Sequence, residues 1–476
     1  MTALYRRSSK WRPNKYTQLH VYLCAGIILA GLLIIRPGQA SAQTLTDALT
    51  AAYLNNPTLL SRRARLRGTD EGVAQALANW RPTVTLTGDA ASRHVENTNN
   101  TPPARSQHRD PVGVGIEVSQ TLFRGGRTLA ETSEAENNVR AERARLLTTE
   151  QNVLLDAVTA FMDVFRDEAV LRLNKNNEEV LNRQLEATRD RFQVGEITRT
   201  DVHQAEARLA RATADRIQSE GDLEASRAAY RNVVGEPAPR DMVAPEQPVD
   251  LPDDEEDVLK VAVVKNPSVI SAEFDRRAAL DNVDDVWGEL LPSVDLSAEL
   301  TRDYQTLAET GRVTAAEVKL EISIPIYQQG EVYSRLREAK QDAAEFTLLI
   351  DQARRDATEN ATRAWESVQT AHARVDSFST QIEANVVALE GVEREAAVGS
   401  RTVLDVLDAE QELLDSRVAL SRAQRDEMVA IFELKSAMGQ LTARDLELPV
   451  ELYDPRDHFR QVRNKWFGGS SKGGVE

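Results

Sequence analysis

Two short segments, VGEITRTDVHQAEARLARA at 194–212 and VGSRTVLDVLDAEQELLDS at 398–416, gather the residues whose types and spacing define a local chemistry. Each has a glycine (Gly195, Gly399), then a threonine (Thr198, Thr402), then an aspartate three residues later (Asp201, Asp405). A threonine oxygen can accept from the N–H three residues on while that residue's carboxylate takes the threonine's own N–H. This is a helix-starting capping box, and the carboxylate also opposes the positive helix end. The glycine suits the left-handed position just past the end of a preceding helix. The spacing therefore predicts two helix–turn–helix tips held by hydrogen bonds and charge. Asp408 lies one helical turn beyond Asp405 on the same side, and its counterpart in the earlier segment is Gln204. Capping does not account for it. It is either a solvated surface carboxylate or, in a symmetric assembly, part of a ring that attracts cations and repels anions.

No other constellation points to covalent chemistry. The six histidines (His20, His94, His108, His203, His372, His458) show no paired metal spacing. P-loop, G-x-S-x-G and G-x-G-x-x-G patterns are absent. Acid runs such as Asp284-Asp285 and Asp253 to Asp257 read as solvated. The expectation is a protein that is not an enzyme and carries no cofactor and no metal.

The first 42 residues form a unit of their own. Arg6, Arg7, Lys10, Arg12 and Lys15 precede the apolar run VYLCAGIILAGLLII (21–35), and Ala40-Ser41-Ala42 supplies a cleavage site. That order predicts a secretory signal peptide cut before Gln43; the apolar run is shorter than the roughly 20 residues of a spanning helix. Cys24, the only cysteine, lies inside it, so the exported chain would hold no thiol. With the leader's six basic residues removed, the formal charge goes from −17 to −23. Such an acidic chain is a poor nucleic-acid binder.

The remainder is duplicated. Asn56-Pro57 and Pro82 return as Asn266-Pro267 and Pro292, offset by 210. Phe123, Gly126, Gly195, Asp201, Glu206 and Gly235 match Tyr327, Gly330, Gly399, Asp405, Glu410 and Gly439, offset by 204. The first repeat spans 43–236 and the second 258–440. A proline-rich acidic linker (237–257) joins them, and a C-terminal extension (441–476) follows. Each repeat reads as a helical stretch (44–79, 258–289), two strands, a long helix after Gly126 or Gly330, and a shorter return helix. The strands show period two: Val84, Leu86, Gly88 and Ala90 with Val112, Val114, Ile116 and Val118, then Val294 to Leu300 with Val318 to Ile326. ENTNNTPPARSQHRDP (96–111) between the first two reads as an exposed loop. The long helices should run about 67 residues, roughly 100 Å at 1.5 Å per residue, a length that needs coiled-coil packing. Their apolar stripe in the first repeat is Leu146, Leu147, Val153, Leu154, Ala157, Val158 and Phe161. For the basic tail after Asp454, packing against the helices and an unattached end are both open.

Four strands of membrane-spanning length cannot close a barrel, since single-chain barrels start at about eight. Three protomers would supply twelve.

The whole exported chain, 44 to about 440, resembles the TolC-type outer-membrane channels of export systems. The duplication, the strand-pair-plus-long-helix order, the Asn-Pro of each repeat and VGSRTVLDVLDA (398–409) with VGEITRTDV (194–202) carry the resemblance. It implies a mixed α and β membrane protein: a homotrimer with a long coiled-coil α-helical barrel and a transmembrane β-barrel of four strands per protomer. Such a protein would be a trimeric exit duct in the outer membrane of a Gram-negative bacterium. It would extend into the periplasm and serve type I protein secretion or multidrug efflux. Its partners would be a periplasmic adaptor, an inner-membrane ABC or proton-driven pump, and outer-membrane lipid, with no nucleic acid. The same resemblance implies a periplasmic gate at Arg401, Thr200 and Asp201 and an acidic entrance ring at Asp405 and Asp408. It departs at Ala396, where a gate tyrosine is expected; Phe192 is the counterpart in the first repeat. The alternative is a soluble periplasmic coiled-coil adaptor or structural protein whose strands pack in water.

Overall fold

A computed structural model describes residues 44–97, 105–239, 242–245, 251–252, 254–306 and 311–470. The expected signal peptide lies outside the described residues. The elements below belong to one unit, Leu45–Ala238 with Ala244–Glu476.

The first repeat opens with α1 (Leu45–Asn55) and α2 (Pro57–Ala78), and the second with α5 (Glu255–Lys265) and α6 (Pro267–Gly288). Each expected single helical stretch is thus two helices. The break falls at Asn-Pro because proline donates no N–H and fits the first helical turn. Asn56 and Asn266 cap the new helix through Thr58 N and Ser268 N, each 2.9 Å away. Their amide nitrogens meanwhile donate to the ends of the return helices, at Val233 O (2.9 Å) and Ala437 O (3.2 Å). One asparagine therefore starts a helix and ties it to another. Helix α5 begins at Glu255, capped by Asp254, three residues inside the stretch read as linker.

The long helices α3 (Arg127–Gln193) and α7 (Glu331–Ala397) both have 67 residues. Each starts after a glycine with φ near +85°. The return helices are α4 (Arg199–Val234) and α8 (Val403–Ala437). Helices α3 and α4 pair, as do α7 and α8, and α6 packs against both long helices. The expected stripe on α3 is buried except for Leu147, which is exposed.

The strands β1 (Thr83–Ala90), β4 (Val112–Arg124), β5 (Ser293–Tyr304) and β6 (Arg312–Ser323) form one antiparallel sheet in the order β1-β4-β5-β6. The two repeats meet where β4 pairs with β5. The expected loop 96–111 proves to be partly strand: β2 (Arg93–Asn97) pairs with β3 (Arg105–Arg109). Its polar sequence hid it, since it carries no apolar alternation to reveal a strand. At the other end β6 stops at Ser323. Pro325 interrupts the alternation that had suggested strand to Ile326, because proline cannot donate to the ladder.

One face of this sheet carries Val84, Leu86, Ile116, Val118, Leu300, Val318, Leu320 and Ile322, all exposed; Leu86 and Val318 each keep 75% of their surface. The opposite face is acidic. Glu117, Glu299 and Glu317 stand in one row across β4, β5 and β6. No described helix is long and apolar enough to cross a membrane.

Over its described residues, 441–470, the C-terminal extension is attached to the helices. Helix α9 (Asp457–Val462) packs on α2, and His458 Nδ1 lies 3.2 Å from Asp70 Oδ2. Tyr453 N donates to Tyr53 Oη (3.0 Å), and buried Arg63 lies between the rings of those two tyrosines, 4.4 and 5.1 Å from their centroids.

Candidate functional site

The two helical tips are built as their spacing predicts. At the end of α3, Gly195 (φ 78°) sends its N–H to Phe192 O and Glu196 N–H reaches Arg191 O, both 3.0 Å. At the end of α7, Gly399 (φ 80°) and Ser400 repeat the pattern to Ala396 O (3.1 Å) and Glu395 O (3.0 Å). This paired closure satisfies the last helical carbonyls and requires a left-handed residue. No atom crowds either glycine's missing Cβ, so φ alone selects glycine there.

Both capping boxes are present. Thr198 N donates to Asp201 Oδ2 (2.9 Å) and Thr402 N to Asp405 Oδ2 (2.8 Å). The bonds from Thr402, with Arg401 nearby, hold the Asp405 carboxyl below the usual carboxylate range. Thr200 is exposed on the first turn of α4.

The remaining charged residues separate the two tips. Within one chain Arg401 Nε donates to Glu395 Oε2 (2.9 Å) in its own turn, and Asp201 is engaged by Thr198. Arg401, Thr200 and Asp201 are therefore not joined inside a protomer. Asp408 pairs with Arg208 of α4, which links the two return helices across the repeats. Beneath it, Leu407 packs on Leu181 and Ala212, and Val202 and Ala205 pack on Leu185.

Sequence reading missed one contrast between the tips. In the first repeat Arg189 of α3 bonds Glu206 of α4 at 2.8 Å, and His203 Nδ1 sits 3.0 Å from the same carboxylate. The residues 204 positions later are Glu393 and Glu410. A latch of opposite charges has become a pair of carboxylates. Glu410 Oε2 is buried without a hydrogen-bond partner among the described residues. Burial, reinforced by the Glu393 charge, pushes Glu410 up to about 7. The adjacent pair is also exchanged: Arg191 bonds Glu196 (3.1 Å) in the first tip, and Glu395, the counterpart of Arg191, bonds Arg401 in the second. The same offset that revealed the repeat would have exposed both exchanges.

The described residues contain no group of three or more His, Cys, Asp or Glu able to hold a metal ion.

The sequence matches the family described as "Outer membrane efflux protein" over residues 48–236 and 258–440. It is 34% identical over 449 residues to the outer membrane efflux protein BepC of Brucella suis biovar 1 (strain 1330), covering 94% of this chain and 96% of that protein. To the outer membrane protein TolC of Escherichia coli (strain K12) it is 24% identical over 434 residues, 88% and 87% of the two chains. Among solved structures, the Campylobacter jejuni CmeC outer membrane channel superposes with a TM-score of 0.75 at 14% identity. That match covers 88% of this chain and 89% of the other, and so shares the fold.

Proposed function

Because the chain belongs to the outer membrane efflux protein family, and so is a non-enzymatic outer-membrane channel of Gram-negative bacteria, we propose that three copies close one continuous exit duct. Each protomer contributes four strands to a twelve-strand barrel and its helices to a periplasmic tunnel. The observation that carries this reading is the sheet itself. Strands β1 and β6 leave unpaired edges, and one face is an exposed apolar band. An edge of unpaired N–H and C=O groups does not persist in lipid; pairing β1 of one copy with β6 of the next removes it three times over. The apolar band then meets lipid, and the row Glu117, Glu299, Glu317 lines water. A soluble coiled-coil adaptor would leave that band against water.

The duct draws its energy from partners: a periplasmic adaptor and an inner-membrane ABC or proton-driven pump, for type I protein secretion or multidrug efflux. The tips form the gated entrance. Asp405, repeated by threefold symmetry, gives an acidic ring that favours cations and protonated amines, and Asp408 adds a second when the entrance opens and releases it from Arg208. Closure uses Arg401 against Thr200 and Asp201 of a neighbouring protomer, so Arg401 exchanges Glu395 for them in the closed trimer. With Ala396 in place of a tyrosine, this arginine carries a larger share of the closure. Planar-bilayer recording tests the gate: Arg401→Ser raises single-channel conductance. Unchanged conductance in the variant counts against the gate assignment.

A further inference from the structure

The outer rim of the sheet carries two arginines on the side meant for lipid. Residue numbers paired between β1 and β4 keep one register from Thr83↔Ser119 to Ala90↔Val112, and β2–β3 continue it to Asn97↔Arg105. Even-numbered residues of this hairpin therefore share a single face throughout. Across β5 and β6 that face continues in two rows: Val114, Arg302, Thr314, and then Val112, Tyr304, Arg312. The sheet meets the helices at Thr83, Arg124, Ser293 and Ser323, so these rows lie at the end remote from them.

Arg302 and Arg312 are diagonal neighbours on adjacent strands, about 7–8 Å apart at the backbone, within reach for long side chains. Tyr304 stands between them, its ring 5.5 Å from the Arg302 guanidinium carbon. Among the described residues neither arginine has a carboxylate partner. Asp303 is on the other face, leaning over Gly113 together with Asp89. Asp110, which does share the outer face, takes the Ser92 hydroxyl (2.8 Å) and lies 3.5 Å from His108 Nε2.

On a lipid face an arginine costs about 2–4 kcal/mol at the midplane and about 0–1 at the interface. Two of them side by side at the edge of the apolar band, with no carboxylate partner among the described residues, call for an external anion. A guanidinium fork matches phosphate oxygens in two-point fashion, and an interfacial tyrosine packs where headgroup meets chain. We propose that Arg302, Arg312 and Tyr304 bind the phosphate of a phosphorylated glycolipid in the outer leaflet, with the acyl chains lying along Leu300, Ala316 and Val318. The site rests on the reading of the apolar face as lipid-facing.

The test uses the full-length channel purified in detergent and stripped of lipid, then incubated with bisphosphorylated lipid A, with the same lipid dephosphorylated, or with inorganic phosphate as competitor. Native mass spectrometry counts bound lipid. Wild type retains the phosphorylated form, and Arg302→Gln with Arg312→Gln lowers its affinity at least about tenfold, as loss of charge-assisted hydrogen bonds requires. Arg302→Lys with Arg312→Lys falls between, and Lys319→Gln on the opposite face changes nothing. Equal retention by the double glutamine variant, equal retention of dephosphorylated lipid, or full displacement by inorganic phosphate overturns the proposal. Bilayer conductance of the same preparations separates the two levels: conducting channels with no lipid difference refute only the lipid site, whereas a wild type that never conducts refutes the duct.

Discussion

Replacing Glu410 by glutamine removes the second-tip carboxylate whose Oε2 has no hydrogen-bond partner among the described residues, and the effect should depend on pH. Displacing a glutamate from its ordinary 4.5 to about 7 corresponds to about 3 kcal/mol at full strength. Glu410 is partly exposed, and screening reduces this to about 1–2 kcal/mol. The group titrates higher when α7 and α8 are packed, so the packed state holds the proton longer. The penalty is therefore absent below about pH 4.5, grows as pH rises toward 7, and is complete above it. The charged group facing Glu410 across the helix pair is Glu393 on α7; on its own helix Asp408 is neutralised by Arg208. Hydrogen exchange of amides in 390–415 reads the local opening directly. At pH 8, Glu410→Gln should slow exchange about 5- to 30-fold, the ratio corresponding to 1–2 kcal/mol. At pH 4.5 the ratio to wild type should fall below about twofold, and the 186–211 tip, latched by Arg189–Glu206, should not respond at either pH. An equal ratio at both pH values would refute the reasoning.

Three further outcomes are expected. Gly399→Ala forces a Cβ into left-handed backbone at φ 80° and should lower the tip's opening free energy by about 1–2 kcal/mol, seen as faster exchange confined to the turn. Asp405→Asn with Asp408→Asn should shift the reversal potential under a salt gradient toward lower cation preference; an unchanged potential removes the entrance rings as the filter. Arg63→Ala empties the space between Tyr53 and Tyr453 and should cost about 2–3 kcal/mol, lowering the thermal midpoint and exposing the tail to protease; an unmoved midpoint would show that the tail is not clamped there.

What could be read from the sequence was local or repeated. The capping boxes, the glycine turns and the 67-residue helices follow from spacing alone, and the duplication follows from two fixed offsets. The sheet was legible because one face is apolar at every second residue. The ribbon at 93–97 and 105–109 was not, since neither of its strands carries that signal. The attachment of the tail was equally hidden: His458 to Asp70 and Tyr453 to Tyr53 are 388 and 400 residues apart in the chain, beyond any local pattern. At the tip, Asp408 was singled out because its counterpart is Gln204, but its partner Arg208 depends on how α4 packs against α8. Glu393 and Glu410 lie 17 residues apart on different helices, and only the registry of α7 against α8 makes them a pair.

The account stands on three protomers completing what one sheet leaves open. Native mass spectrometry of the channel extracted from outer membranes counts them. The account predicts a single species of three chains, resistant to dissociation in detergent, and a monomer, a dimer or a protein released by osmotic shock alone would contradict it.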